Sequence, residues 1–188
     1  MPGYLGALAV VLLLAMVLSR VFLLKRQGVT AMKFGEVDKT DFLIPPCALF
    51  YFYLVFAAAF GWSSVSTQHF FYSVPVAWIG AAACATGLLM LLWSLISFSR
   101  SFRIGIDTEH PDKLITSGIF AFSRNPLYVA FAGILTGEFM IFPNWILLVY
   151  LAGFCALVHR QVLREEDYLK GYYGRDYLDY CQRVRRYL

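Results

Sequence analysis

The apolar residues of this chain fall into long unbroken blocks, and that arrangement limits what it can fold into more than any other feature. About twenty such residues, rising 1.5 Å each as a helix, match the roughly 30 Å hydrocarbon core of a bilayer. Five candidate spans can be read, at about 4–24, 42–61, 74–98, 127–142 and 144–161. The first three have full length. The last two are short, and Pro143-Asn144 divides them into a tight helical hairpin whose flanking segments return to one face. Hydrophobic residues make up 60% of the 188 and charged residues 15%, which leaves too little polar surface for a soluble domain. The chain therefore reads as an all-α integral membrane protein with about five transmembrane helices and a cytoplasmic C-terminal helical segment. It forms a single membrane domain, with three transmembrane helices in 1–98 and the hairpin and C-terminal helices in 99–188.

Loop charge sets the expected orientation. No basic residue precedes the first block and no small-x-small cleavage site follows it, so it reads as a retained helix with its N-terminus outside. Lys25, Arg26, Lys33 and Lys39 fill the first loop, and Arg100, Arg103, Lys113 and Arg124 the third. The second loop (63–73) and the hairpin tip carry no Lys or Arg. This alternation places the C-terminus in the cytoplasm of a multi-pass protein of a bacterial inner membrane or an endomembrane. The polar stretches at about 99–125 and 162–188 then share the cytoplasmic side, and they hold most of the groups capable of chemistry.

Inside the spans there is less to work with. Cys47, Cys84, Cys155 and Cys181 are widely separated, without a CxxC or a nearby His, and read as small buried hydrophobes and not as a metal or disulfide framework. Glu138 is the one acid well inside an apolar span. An acid inside a span is a functional candidate by default, but its place near the hairpin tip predicts that it snorkels toward the surface instead. Gly133 and Gly137 form a GxxxG that predicts close helix packing.

Two cytoplasmic segments stand out. Gly118 marks a turn, and Asn125-Pro126 opens the fourth span with a good N-cap and a proline at the first helical position. Free N–H groups and the positive end of the helix dipole, beside Arg124, would attract a carboxylate or phosphate. The plainer alternative is a helix start with Arg124 on lipid headgroups. Further on, the fifth helix continues as a charged, aromatic helix that Gly174 ends or kinks before a second short helix. Glu165, Tyr168 and Tyr172 share one face, as do Tyr173, Tyr177 and Tyr180. A carboxylate beside tyrosine rings could hold a cationic ligand. A solvated interfacial helix is the alternative.

Four stretches, in order, carry a resemblance: Leu114-Ile115-Thr116-Ser117-Gly118-Ile119-Phe120, Arg124-Asn125-Pro126-Leu127-Tyr128, Glu165-Glu166-Asp167-Tyr168-Leu169 and Tyr173-Gly174-Arg175-Asp176-Tyr177-Leu178-Asp179-Tyr180. Together they resemble the isoprenylcysteine carboxyl methyltransferase family and, more loosely, the phospholipid methyltransferases. The resemblance covers the last 90 or so residues. It implies S-adenosylmethionine bound at the cytosolic face, in a cofactor-binding half lined by Asp112, Lys113, Leu114, Ile115, Gly118, Phe120, Asn125, Pro126, Leu127 and Tyr128, with Glu165 on the cofactor amino group. It also implies Arg124, Tyr128, Glu165 and Glu166 as the catalytic set, and Arg160, Gln161 and Arg164 toward the substrate. Three positions depart from the family pattern: its His is Asn125, its Tyr after the glycine is Phe120, and its substrate-contacting Arg falls on Gln161, flanked by Arg160 and Arg164.

Methyl transfer from a sulfonium needs orientation and exclusion of water more than acid–base help. A carboxylate or thiolate acceptor needs no general base. A phospholipid amine would, and Glu165, Glu166 or Tyr128 are the candidates. The expected partners are the bilayer and a lipophilic acceptor entering sideways from it, with no nucleic acid and no metal. Two other readings compete. One is an NADPH-dependent reductase of the sterol-reductase type, whose ending Tyr173-Gly174-Arg175-Asp176-Tyr177 and Tyr180-Cys181 resemble. The other is a non-enzymatic membrane protein, either a scaffold or a small transporter.

Overall fold

The structure is a computed structural model that describes residues 2–26, 44–62, 69–98 and 114–188. Six α-helices run through them: α1 Pro2–Arg26, α2 Ile44–Ala59, α3 Val74–Ser97, α4 Pro126–Ile141, α5 Trp145–Tyr173 and α6 Arg175–Arg183. A short 3-10 helix, Gly118–Ala121, precedes α4. Among the described residues there are no strands, only an isolated bridge between His69 and Asn144. The chain is an all-α integral membrane protein.

Three helices, α1, α3 and α5, are long and apolar enough to cross a bilayer. α2 has 16 described residues, and α5 runs unbroken for 29 because the fifth span continues as a charged, aromatic helix up to Gly174, as the sequence predicts. At 1.5 Å per residue α5 is about 43 Å long, so it outruns a bilayer core, and its charged turns beyond Arg160 lie past the apolar stretch. Large apolar side chains such as Leu18, Ile79, Leu89, Val149 and Leu157 point outward, as they must where the solvent is hydrocarbon. The tip end of the bundle gathers Tyr4, Phe60, Trp62, Phe70 and Trp145 in ring contacts, the aromatic composition of a membrane interface.

Helix starts and stops follow local chemistry. Prolines stand in the first turn of α3 and α4, where the missing N–H costs nothing. At the hairpin tip Asn144 caps α5 by accepting a hydrogen bond from Leu147 N at 2.9 Å, while its Nδ2 donates to Phe142 O. Phe70 N donates to Pro143 O at 2.8 Å, tying the loop before α3 across the tip. Gly174, at φ +53°, breaks α5 from α6.

Packing is closest between α3 and α4. A Cβ built on Gly137 would stand 2.5 Å from both Gly80 O and Cys84 Sγ, and one on Gly87 would stand 2.7 Å from Ile134. The GxxxG thus serves packing within the chain, as its sequence predicted. The cysteines are all free, but only Cys84 is the buried hydrophobe expected; Cys47 and Cys155 lie exposed on helix surfaces. Glu138 departs furthest from expectation. It does not snorkel: α4 turns it inward against Gly6 of α1, fully buried beneath Phe142.

Replacing Gly137 with Val should overpack the α3–α4 contact and cost about 1–3 kcal/mol. Gly153→Val, where an added Cβ meets nothing within 4 Å, should leave stability nearly unchanged. Thermal unfolding in detergent, followed by helical circular dichroism, compares the two.

Candidate functional site

The described parts of the two polar segments meet at the base of the hairpin. The chain enters α4 through the 3-10 helix, which is wedged between the end of α3 and α6. Gly118 takes φ +65°, and a Cβ there would lie 2.7 Å from Ser97 Oγ. Ile119 N donates to that same hydroxyl, Phe120 meets Phe98 edge-on at 4.7 Å, and the Tyr180 hydroxyl donates to Phe120 O at 2.7 Å. Burial pushes the Tyr180 phenol up to about 12, so it is a lasting donor.

Arg124 and Asn125 then lie under the C-terminal tail. Arg124 N donates to Arg185 O at 3.0 Å, and Asn125 Nδ2 donates to Arg186 O at 3.0 Å. Asn125 occupies the N-cap position but its side chain makes no capping bond. It is turned to the tail instead, because the tail carbonyl offers an acceptor in a site closed to water. The Arg124 guanidinium pairs with Glu166 at 3.0 Å rather than with lipid headgroups. Arg186 completes the cluster, with Nε at 3.1 Å and Nη2 at 2.8 Å from Glu166 Oε2. The hydrogen bond to Glu166 holds the Arg186 guanidinium above its ordinary value. Glu166, 2% exposed, is therefore a buried strut between two cations.

Glu165 faces another way. Successive helical residues are about 100° apart, which carries its carboxyl toward α4. There the Tyr128 hydroxyl donates to Glu165 Oε1 at 2.8 Å and Gln161 Nε2 donates to the same atom at 3.0 Å. Burial pushes the Glu165 carboxyl above its usual range, and the hydrogen bonds from Gln161 and Tyr128 oppose that shift. Tyr168 and Tyr172 stack one turn further along, 6.2 Å apart.

Of the residues singled out from sequence, Arg124, Asn125, Pro126, Tyr128, Gln161, Glu165 and Glu166 come together here. Leu114 packs against the α6 cluster of Tyr177, Tyr180 and Val184, whereas Leu127 packs into the main core. Arg160 and Arg164 are exposed, each one residue ahead of Gln161 and Glu165 and so turned off their face. Asp112 and Lys113 lie outside the described residues. Sequence reasoning missed the tail residues Arg185 and Arg186, which nothing distinguishes from the other arginines of the C-terminus. It also missed an open cavity of about 440 Å³ at the α5–α6 junction, lined by Leu114, Thr116, Tyr173, Asp176, Asp179 and Arg183. The Tyr173-to-Tyr180 stretch was the available signal for that cavity.

The phospholipid methyltransferase family matches residues 75–176, from the first turn of α3 to the first turn of α6. This chain belongs to that family. The match spans just over half of the chain and contains the hairpin, Arg124, Tyr128, Glu165 and Glu166. Among curated relatives, Protein-S-isoprenylcysteine O-methyltransferase B of Arabidopsis thaliana is 32% identical over 111 residues, covering 56% of this chain and 55% of that protein. Protein-S-isoprenylcysteine O-methyltransferase of Mus musculus is 27% identical over 140 residues, covering 68% and 48%. The chain thus spans about half the length of the curated relatives it matches. No solved structure matches it significantly.

Replacing Glu166 with Gln removes the charge that compensates Arg124, whose side chain is 10% exposed. Loss of a buried partner of this kind costs about 3 kcal/mol. The variant should unfold at lower denaturant, and trypsin should cut the tail at Arg183 to Arg186 faster than in the native chain.

Proposed function

We propose that this protein is an S-adenosylmethionine-dependent methyltransferase acting at the membrane surface on a lipophilic acceptor. The observation that carries the reading is the Glu165 carboxylate, fixed by Tyr128 and Gln161 at the base of the family-matched hairpin. The Arabidopsis and mouse relatives, named as O-methyltransferases of isoprenylcysteine, support the reaction class.

The residues present fit such a donor. Glu165 is an anion oriented from two sides, suited to an ammonium group. Tyr168 and Tyr172 supply aromatic faces near it, favourable to a cation. The open cavity beside Leu114 and Thr116 adds room at the edge of the same cytoplasmic cluster, with Asp176 and Asp179 as acceptors for hydroxyl groups. When bound, S-adenosylmethionine supplies a methyl group already activated on a sulfonium. The work left to the chain is to hold, orient and exclude water.

The geometry supports a role for several individual residues. Glu165 and Gln161 form the cofactor-side anchor, and Tyr128 orients Glu165. Arg124 acts indirectly: its pairing with Glu166 and its backbone bond to Arg185 fix the start of α4. Glu166, committed to two arginines, is not disposed to serve as a general base, which favours an acceptor that needs none, a carboxylate or thiolate on an isoprenoid or lipidated molecule. Arg160 and Arg164, exposed on the adjoining row of α5, are our candidates for contact with an anionic acceptor arriving along the membrane. Basic residues Lys25 and Arg26 end α1, and the charged turns of α5 lie at the hairpin base, an arrangement that supports an N-terminus outside and a C-terminus in the cytoplasm.

Calorimetry on the detergent-purified chain should show saturable binding of S-adenosylmethionine and S-adenosylhomocysteine and none of NADPH. Glu165→Ala should weaken that binding at least tenfold. Binding of NADPH alone would sink the methyltransferase reading. A second expectation concerns pH. As pH falls through the raised titration of Glu165, the carboxyl takes up a proton and loses its attraction for an ammonium group. Affinity for S-adenosylmethionine should therefore drop on acidification, and Glu165→Gln should show a weaker but flat profile over the same range.

A further inference from the structure

The tip end of the helix bundle buries an acid that the site at the hairpin base does not use. Glu138 lies one turn before the end of α4 and has no exposed surface. Neither of its carboxyl oxygens has a hydrogen-bond partner among the described residues. The space it occupies is shaped for it by a neighbouring helix: a Cβ on Gly6 of α1 would stand 2.7 Å from Glu138 Oε2 and 3.0 Å from the Phe142 ring. Phe142, 4% exposed, closes the pocket from the tip, and the His69 ring stacks on Phe142 with centroids 6.5 Å apart.

Among the described residues, the titratable groups within electrostatic reach of Glu138 include Tyr51 of α2 and Cys84 of α3. The Cys84 thiol is committed to Ile134 O at 3.5 Å. The Tyr51 hydroxyl is itself buried without a partner. Among the described residues no Lys, Arg or His pairs with Glu138. An ionised carboxylate stripped of water, cation and donors is the least favourable state such a pocket can hold. Taking up a proton removes the charge and turns one oxygen into a donor.

We propose that Glu138 is a proton-binding site in the membrane-embedded part of the protein, held as the neutral carboxylic acid at neutral pH. The site is separate from the methyl-transfer reading and stands whether or not that reading holds. It also accounts for Gly6, since any side chain there would expel the carboxyl from its place between α1 and α4.

Infrared spectroscopy of the full chain in a detergent without ester or carboxyl groups, in heavy water at neutral pH, tests the proposal. The native protein should show the carbonyl stretch of a protonated carboxylic acid. That band should vanish in Glu138→Gln, shift without vanishing in Glu138→Asp, and persist in Glu165→Gln, which removes an acid at the opposite end of α4. If Glu138→Gln does not fold, the Glu138→Asp shift still assigns the band. Absence of the band from the native protein, or its survival unshifted in both Glu138 variants, would overturn the proposal. So would its conversion to a carboxylate band on adding sodium chloride, which would make the pocket a metal-cation site instead.

Discussion

Between hydrocarbon-solvated helices there is no water to expel, so association depends on how closely two backbones can approach. α3 and α4 meet through glycine on both sides: Gly137 abuts the carbonyl of Gly80, and Gly87 lies against Ile134 and the carbonyl of Ala130. That contact fixes α4 along its length and so fixes what stands at each of its ends. At the tip, Glu138 and Phe142 are pressed against Gly6 of α1. At the base, Tyr128 is delivered to Glu165. A looser α3–α4 pair would leave neither arrangement defined, since α5 packs on α4 and reaches the rest of the bundle largely through it.

The base is organised by two adjacent glutamates with opposite roles. One residue of helical rotation sends Glu166 into a buried cluster with Arg124 and Arg186, and Glu165 toward Tyr128 and Gln161. The first holds the tail over the start of α4, and the second presents an oriented carboxylate. The tail is part of this architecture: carbonyls of Arg185 and Arg186 take hydrogen bonds that a helix start and an asparagine side chain would otherwise direct elsewhere. Asn125 takes part through its side-chain amide, which donates to the Arg186 carbonyl.

Much of this was legible beforehand. Apolar block length marked every helix of the bundle, and Pro143-Asn144 and Gly174 marked the hairpin and the α5–α6 break where the structure has them. Gly133 and Gly137 announced close packing. Among site residues, the pairing of the Arg124–Tyr128 and Glu165–Glu166 stretches was visible as motif order, though not which glutamate would face which partner. Glu138 was misjudged because nearness to a helix end suggests escape to the surface, whereas the rotation of α4 about its axis decides which way a side chain points. Arg186 was invisible because one arginine among several at a C-terminus carries no local signal.

Sequence by itself determined that this chain lives in a membrane, which of the described segments form its helices, and where the hairpin and the α5–α6 break fall. Those properties depend on residue type and on spacing within about twenty residues. Tertiary structure alone decided that Glu166 is a strut and Glu165 a presented carboxylate, that Asn125 binds the tail instead of capping α4, and that Glu138 is sealed against α1. Each of these is set by the rotation and depth of one helix against another, which a few backbone contacts between glycines fix and no local sequence signal encodes.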